Sequence, residues 1–193
     1  MKKTYLTFNF LLLALGMLLL VGCMTTNKDP FYVNQYQDSL QKEAINLEEN
    51  GITNDWVGQR FDYVMNHFKA PDVVERVNTA FAPAVYFNDT WHTHESPTSL
   101  GEYLKRTGER VHEIEVLIDD AVVSKENAYI RWNMTFTVSK GDEPIKSVGM
   151  THLRFNQDMQ IITYQDYWDG VEGFYRTLPV IGSVLGMIRK KLG

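Results

Sequence analysis

The chain has 193 residues, of which 44% are hydrophobic and 22% charged, with a single cysteine and a formal net charge of −5. That balance argues against a largely disordered chain, and one cysteine excludes an internal disulfide scaffold. The charge argues against a nucleic-acid partner, because 24 Asp+Glu outweigh 19 Lys+Arg and phosphate contacts need the opposite sign.

Lys2 and Lys3 precede an apolar run from Phe8 to Val21 that only Asn9 interrupts. A membrane-spanning helix needs roughly 20 apolar residues. This run is shorter and has the flanks of a secretory signal. It ends in Leu20-Val21-Gly22-Cys23, which resembles the bacterial lipobox. The resemblance implies cleavage before Cys23 by signal peptidase II. Cys23 would then carry a thioether-linked diacylglycerol and an N-acyl chain, and several chains together anchor stably. Met24, where an Asp would favour inner-membrane retention, resembles the outer-membrane-sorted class of such lipoproteins. The expected location is the cell envelope, on the periplasmic face of the outer membrane of a Gram-negative bacterium. The expected organisation is a signal peptide over 1–22, a lipidated cysteine with tether and short helix over 23–52, and a folded domain over 53–193.

Thr25 to Pro30 is polar and reads as the tether. Leu40, Ala44 and Leu47 recur at helical spacing, which predicts a helix over Asp38–Asn50 that stops at Gly51. A second helix is predicted over Asp55–Phe68, with Trp56, Phe61, Val64, Met65 and Phe68 as its apolar stripe. Pro71 opens a short helix that runs to Asn78. Ala84–Phe87 reads as a short strand. Ser99–Val111 reads as a helix with Leu100, Tyr103 and Leu104 on one side. Alternating segments follow at Glu113–Ser124, Ala128–Ser139 and Ile145–Phe155, and Ile161–Trp168 closes the set. Short turns between alternating strands predict an antiparallel meander. Val171–Leu192 reads as helical, interrupted at Pro179. Beyond the proline, Val180, Ile181, Val184, Leu185, Ile188 and Leu192 share one side, and Arg189, Lys190 and Lys191 end the segment. Such a helix can pack on its own domain, complete a dimer or rest on a membrane, and packing on its own domain is the expectation.

This order of elements is α+β: a cone-shaped, curved antiparallel sheet with helices on its concave face. From about Asp55 to Leu192 the chain resembles the nuclear transport factor 2-like superfamily, a cystatin-like roll, in its SnoaL-like, polyketide cyclase-like branch. The resemblance rests on Tyr86-Phe87-Asn88-Asp89, Ser99-Leu100-Gly101-Glu102-Tyr103-Leu104, Arg131-Trp132-Asn133-Met134, Gly149-Met150-Thr151-His152-Leu153-Arg154-Phe155, Asp166-Tyr167-Trp168-Asp169, Phe174-Tyr175 and Leu178-Pro179-Val180-Ile181-Gly182, in that order.

Candidate chemistry concentrates in the hairpin Ile145–Trp168. A type I turn with Met159 in the bulge position sets Asn156 opposite Gln160, His152 opposite Tyr164 and Met150 opposite Asp166. Period-two alternation then puts Met150, His152, Tyr164 and Asp166 on one face, near Trp132 and Trp168. Burial raises the pKa of a carboxylic acid, and an imidazole beside it can relay the proton. The resemblance implies the same pair: SnoaL-like cyclases use an Asp of the last strand as general acid/base and a His of the preceding strand, which Asp166 and His152 match. The chain departs from many relatives in carrying Tyr164 where they have a further His, and tyrosine is a poor base near neutral pH. Trp132, Met150, Tyr164 and Trp168 are the expected ligand-binding residues. Asp89 reads as a strand-end cap. His92 and His94 could share a face, but no third ligand accompanies them, so neither metal nor cofactor is expected.

These readings make the chain an envelope lipoprotein whose cone binds a small hydrophobic molecule. The alternatives are a cyclase or isomerase using Asp166 and His152, or a structural or assembly module. The expected partners are the small ligand and, through the lipid anchor, a membrane. Relatives often pair through the curved sheet, so a homodimer is also expected.

Overall fold

The alternating second half of the chain forms one curved, unclosed sheet in the computed structural model, which describes residues 31–192. The expected signal peptide, Cys23 and the expected tether lie outside the described residues. The chain divides between Asn34 and Gln35, and the account below concerns the unit from Gln35 onward. Its helices are α1 (Phe31–Leu40, shared with the preceding unit), α2 (Asn54–Met65), α3 (Val73–Ala80), α4 (Pro97–Arg110), the single turn α5 (Gly170–Gly173) and α6 (Pro179–Leu192). A 3-10 turn at Tyr175–Thr177 separates the last two. The strands are β1 (Phe81–Asn88), β2 (Thr93–His94), β3 (Glu113–Ser124), β4 (Asn127–Thr137), β5 (Ile145–Phe155) and β6 (Ile161–Trp168). Their spatial order is β2-β1-β6-β5-β4-β3.

The expected α+β class holds, with one addition. β3 to β6 form the antiparallel meander, but β1 pairs with β6 in parallel, so the sheet is mixed. Helix starts follow local chemistry. The Thr53 hydroxyl accepts from the Trp56 amide at the head of α2. Ser96 accepts from the Ser99 amide at the head of α4, with Pro97 in the first turn. Val57, Phe61, Val64 and Met65 of α2, Val77 of α3, and Leu100 and Leu104 of α4 pack into one core with Phe87, Ile130, Trp132, Leu153 and Tyr164 of the sheet. Among the described residues every core member lies between Ile45 and Trp168, inside the unit Gln35–Gly193.

Two expectations are corrected. The helix predicted over Asp38–Asn50 ends at Leu40. Beyond it the Ile45 amide donates to the Phe155 carbonyl (2.9 Å) and the Leu47 amide to Lys125 (2.7 Å), while both side chains are buried in the core. Long-range burial and pairing override a weak local periodicity here. Arg154 completes the arrangement by donating to the carbonyls of Ser39 (3.0 Å) and Lys42 (3.3 Å), where α1 ends.

The second correction concerns the β5–β6 register. The turn is as expected: Met159 has φ 61° and the Asn156 amide donates to the Gln160 carbonyl (2.9 Å). Phe155 then pairs with Ile161, but Arg154 pairs with Thr163, so Ile162 is an extra residue in β6. Thr151 therefore faces Asp166, His152 faces Gln165, and Leu153 faces Tyr164. A single bulge reverses which side chains share a face.

Candidate functional site

A cavity of about 160 Å³ opens between α2, α4 and the inner face of the sheet. Phe61, Met65, Leu104, Trp132, Met134, Phe136 and Trp168 supply much of its apolar wall, with Trp91 at the rim. Trp132 reaches the cavity because its cross-strand partner is Gly149: a Cβ there would lie 2.4 Å from the indole. The polar groups on the wall are few, and no Lys, Arg or His is among them.

Asp166 is the central one. It is 5% exposed. Its Oδ1 accepts from the Thr151 hydroxyl at 2.5 Å, and that hydroxyl accepts from Trp132 Nε1 at 2.8 Å. Tyr164 donates to Oδ2 across a longer 3.3 Å. Burial pushes the Asp166 carboxyl up to about 8, with the charge of Asp89 adding to the rise and the Thr151 and Tyr164 hydroxyls opposing it. Near neutral pH the group is mainly protonated. Oδ1 takes the short bond, and Oδ2, held only by the longer Tyr164 contact, is the oxygen with room for the proton. Such an acid can donate a hydrogen bond to a ligand oxygen or move a proton at an adjacent carbon.

Asp89 and Tyr103 form a second polar point on the wall. Asp89 Oδ1 accepts from the amides of Trp91 (2.9 Å) and His92 (2.8 Å), which fits the expected strand-end role. Its Oδ2 accepts a short hydrogen bond from the Tyr103 hydroxyl. Burial, then the Asp89 charge, holds Tyr103 protonated well above the usual tyrosine range.

Of the residues expected to act together, Asp166, Trp132 and Trp168 line the cavity. Tyr164 is wholly buried behind it, stacked on Phe87 at 4.5 Å, and touches Asp166 rather than the open space. His152 and Met150 are placed on the opposite face of the sheet, which corrects the shared face predicted for them; the bulge at Ile162 is the cause. His152 Nδ1 meets the Tyr36 hydroxyl (2.9 Å), its Nε2 meets Asn127 Oδ1 (2.8 Å), and its ring stacks on Tyr129. Burial, with Arg154 nearby, lowers its pKa to about 4. Met150 is 42% exposed on that outer face. Thr151 and Tyr103 were not singled out from sequence. Tyr103 was legible as an inward residue of its helix, whereas Thr151 needed the bulge. The rings of His92 and His94 pack at a tilt against Tyr103, and among the described residues no group of three or more His, Cys, Asp or Glu is placed to hold a metal ion.

A family model described as a SnoaL-like domain matches residues 61–164. No curated protein matches the chain. Among solved structures the chain is similar to a protein of ketosteroid isomerase-like fold from Catenulispora acidiphila in complex with trimethylamine. The identity is 16% and the TM-score 0.54, over 63% of this chain and 91% of that one. It is similar to an LEH-like epoxide hydrolase of M. tuberculosis at 15% identity and TM-score 0.50, over 60% and 84%. A protein described as a SnoaL-like polyketide cyclase from Shewanella putrefaciens gives 14% identity and TM-score 0.50, over 60% and 90%. At these identities the likeness is one of fold.

Proposed function

We propose, for a chain that belongs to the SnoaL-like domain family, that the cone binds a small apolar molecule bearing one oxygen, which accepts a hydrogen bond from Asp166. The observation that carries this reading is a buried carboxyl group, raised to about 8, in the wall of a mostly apolar cavity. A neutral acid offers a proton to a carbonyl or hydroxyl, whereas a carboxylate there would repel its lone pairs. The test is a titration with 1-indanone, an apolar bicycle with one carbonyl, followed by quenching of tryptophan fluorescence. Affinity falls as pH rises through 8 in the natural chain. In Asp166→Asn it is flat with pH, because the amide keeps a donor and cannot ionise. Absence of binding near neutral pH, or the same pH dependence in the variant, rejects the proposal.

A second reading, proton transfer of the isomerase or cyclase type, is favoured by the same residue and no longer includes His152. It predicts that the hydrogens next to the indanone carbonyl exchange with D2O faster than in buffer, and that Asp166→Asn abolishes the excess. The placement in the envelope is likewise a proposal, supported by Leu20-Val21-Gly22-Cys23. Cys23→Ser should accumulate uncut and take up no palmitate analogue; normal maturation of that variant rejects the lipid anchor.

A further inference from the structure

The last helix is turned the opposite way from what an amphipathic helix in a globular domain requires. α6 follows the 3-10 turn and meets the residues before it at Gly182 and Arg189, with Leu185 half-buried. A Cβ at Gly182 would lie 2.2 Å from the Arg176 carbonyl oxygen, so glycine permits the close approach. Arg189 pairs with Glu172 of α5. With that edge held, the apolar stripe points outward: Val180 is 76% exposed, Met187 60%, Ile188 48%, and Ile181 and Val184 43% each. The packing on its own domain expected from sequence therefore does not cover this stripe.

We propose that α6 docks on a bilayer surface bearing anionic headgroups, with the outward stripe in the interface and Lys190 and Lys191 among the phosphates. Three observations favour lipid over a protein occupant. The first is charge: the helix contains no acid and ends in Arg189, Lys190 and Lys191, in a chain whose net charge is −5. Cations clustered at one end of an apolar stripe suit a headgroup layer. The second is area. A helix of 14 residues is about 21 Å long, and one stripe of it offers on the order of a few hundred Å², short of the ~800 Å² per partner that a stable dimer buries. The third is the length of chain before the domain. If Cys23 carries lipid, the 12 residues from it to Gln35 reach about 40 Å at most, which keeps the domain near a membrane at high effective concentration. That last support rests on the envelope reading proposed above; the first two do not. No helix among the described residues is long and apolar enough to cross a membrane, so the contact is with the surface.

The residues that lead into α6 also touch the cavity. Phe174 and Tyr175, just before α6, pack on Trp91 at the cavity rim, with centroids at 4.5 and 6.2 Å. Tyr175 is 38% exposed there. Aromatic side chains with a polar edge favour the membrane interface. With α6 docked on lipid, a rim of this kind next to it in the chain suits a ligand that partitions into a bilayer.

The experiment uses the unit Gln35–Gly193, which has every core residue among those described and lacks Cys23. It is floated with vesicles of phosphatidylcholine alone or with added phosphatidylglycerol, at low and high salt. The expected result is co-flotation with the anionic vesicles, weakened by salt. Lys190→Gln with Lys191→Gln should reduce partitioning about tenfold or more, and Val184→Glu with Ile188→Glu should abolish it. All four positions are exposed, so thermal melts of the variants should match the parent. Equal flotation with neutral vesicles, no flotation, or flotation unaffected by the glutamates overturns the proposal. So does a dimer in lipid-free sedimentation that the glutamates split, since that names a second copy as the occupant. Titration with 1-indanone without vesicles should be unchanged in every variant. If the unit floats but never binds indanone, the ligand reading fails and the docking stands.

Discussion

Asp166 and His152 are two buried titratable groups on opposite faces of one sheet, and burial moves them in opposite directions. The carboxyl rises to about 8 and the imidazole falls to about 4. Both are neutral near pH 7, as charge avoidance in a low-dielectric setting requires. Linkage then gives each a signed effect on stability. Asp166 holds its proton more tightly folded than unfolded, so its contribution is complete below about 3.9, its unfolded value, and is lost as pH rises through 8. His152 binds its proton more weakly when folded, so its contribution is complete above about 6.5 and is lost as pH falls through 4. Between about 4 and 6.5 the two slopes oppose each other. Above 6.5 only Asp166 acts, and stability falls by up to about 1.4 kcal/mol per pH unit until it ionises. Urea unfolding at a series of pH values should therefore show a broad plateau and then a decline between about 6.5 and 8. Asp166→Asn removes that decline. A decline of equal slope in the variant would mean that another group titrates there.

At the scale of the element, sequence pattern reports what is regular and misses what is added. Glu113–Ser124, Ile145–Phe155 and Ile161–Trp168 were legible to the residue, because alternation and turn chemistry are local properties. Ile162 was not. It is an apolar residue within an apolar run, and both it and Ile161 are buried, so no polar position out of phase marked the bulge. Missing it misplaced two of the six expected site residues. His152 and Met150 exchanged faces with Thr151, while Asp166, Trp132 and Trp168 kept theirs. The segment after Leu40 failed for the opposite reason: its spacing is helical, yet the Ile45 and Leu47 amides pair with Phe155 and Lys125. Pairing across more than 70 positions of sequence leaves no periodic trace. β2 escaped for another reason: it is two residues long and pairs only with the neighbouring end of β1, Phe87 with His94, too short a run to show alternation. For α6 the apolar stripe was legible, but which way it faces depends on the Arg189–Glu172 pair and the approach at Gly182.

At the scale of the whole molecule, the outer face of the sheet is covered unevenly. α1 shields one end, where Tyr36 meets His152 and Ser39 meets Thr163. Further along, Leu117, Val148, Met150 and Tyr167 stand 56%, 59%, 42% and 47% exposed. The ladder makes them one patch: Leu117 is opposite Asn133, Asn133 opposite Val148, and Met150 opposite Tyr167. An antiparallel meander can face water on one side, but such a face normally alternates to polar residues, and contiguous exposed apolar area marks an association surface. A second copy of the chain is the proposed partner. A curved face with two-fold self-contact can bury the patch against itself, and Arg131 and Asp119, which pair at 2.9 Å on the same face, supply opposite charges for a polar rim. This surface is distinct from the stripe on α6, so the two associations are separable. Sedimentation equilibrium of the unit Gln35–Gly193 should give twice the monomer mass at micromolar concentration. Val148→Glu with Met150→Glu should give the monomer, with melting lowered only by the lost association, while Val184→Glu with Ile188→Glu leaves the dimer intact. A parent that sediments as a monomer at that concentration rejects the outer face as a dimer surface and leaves the patch to some other partner.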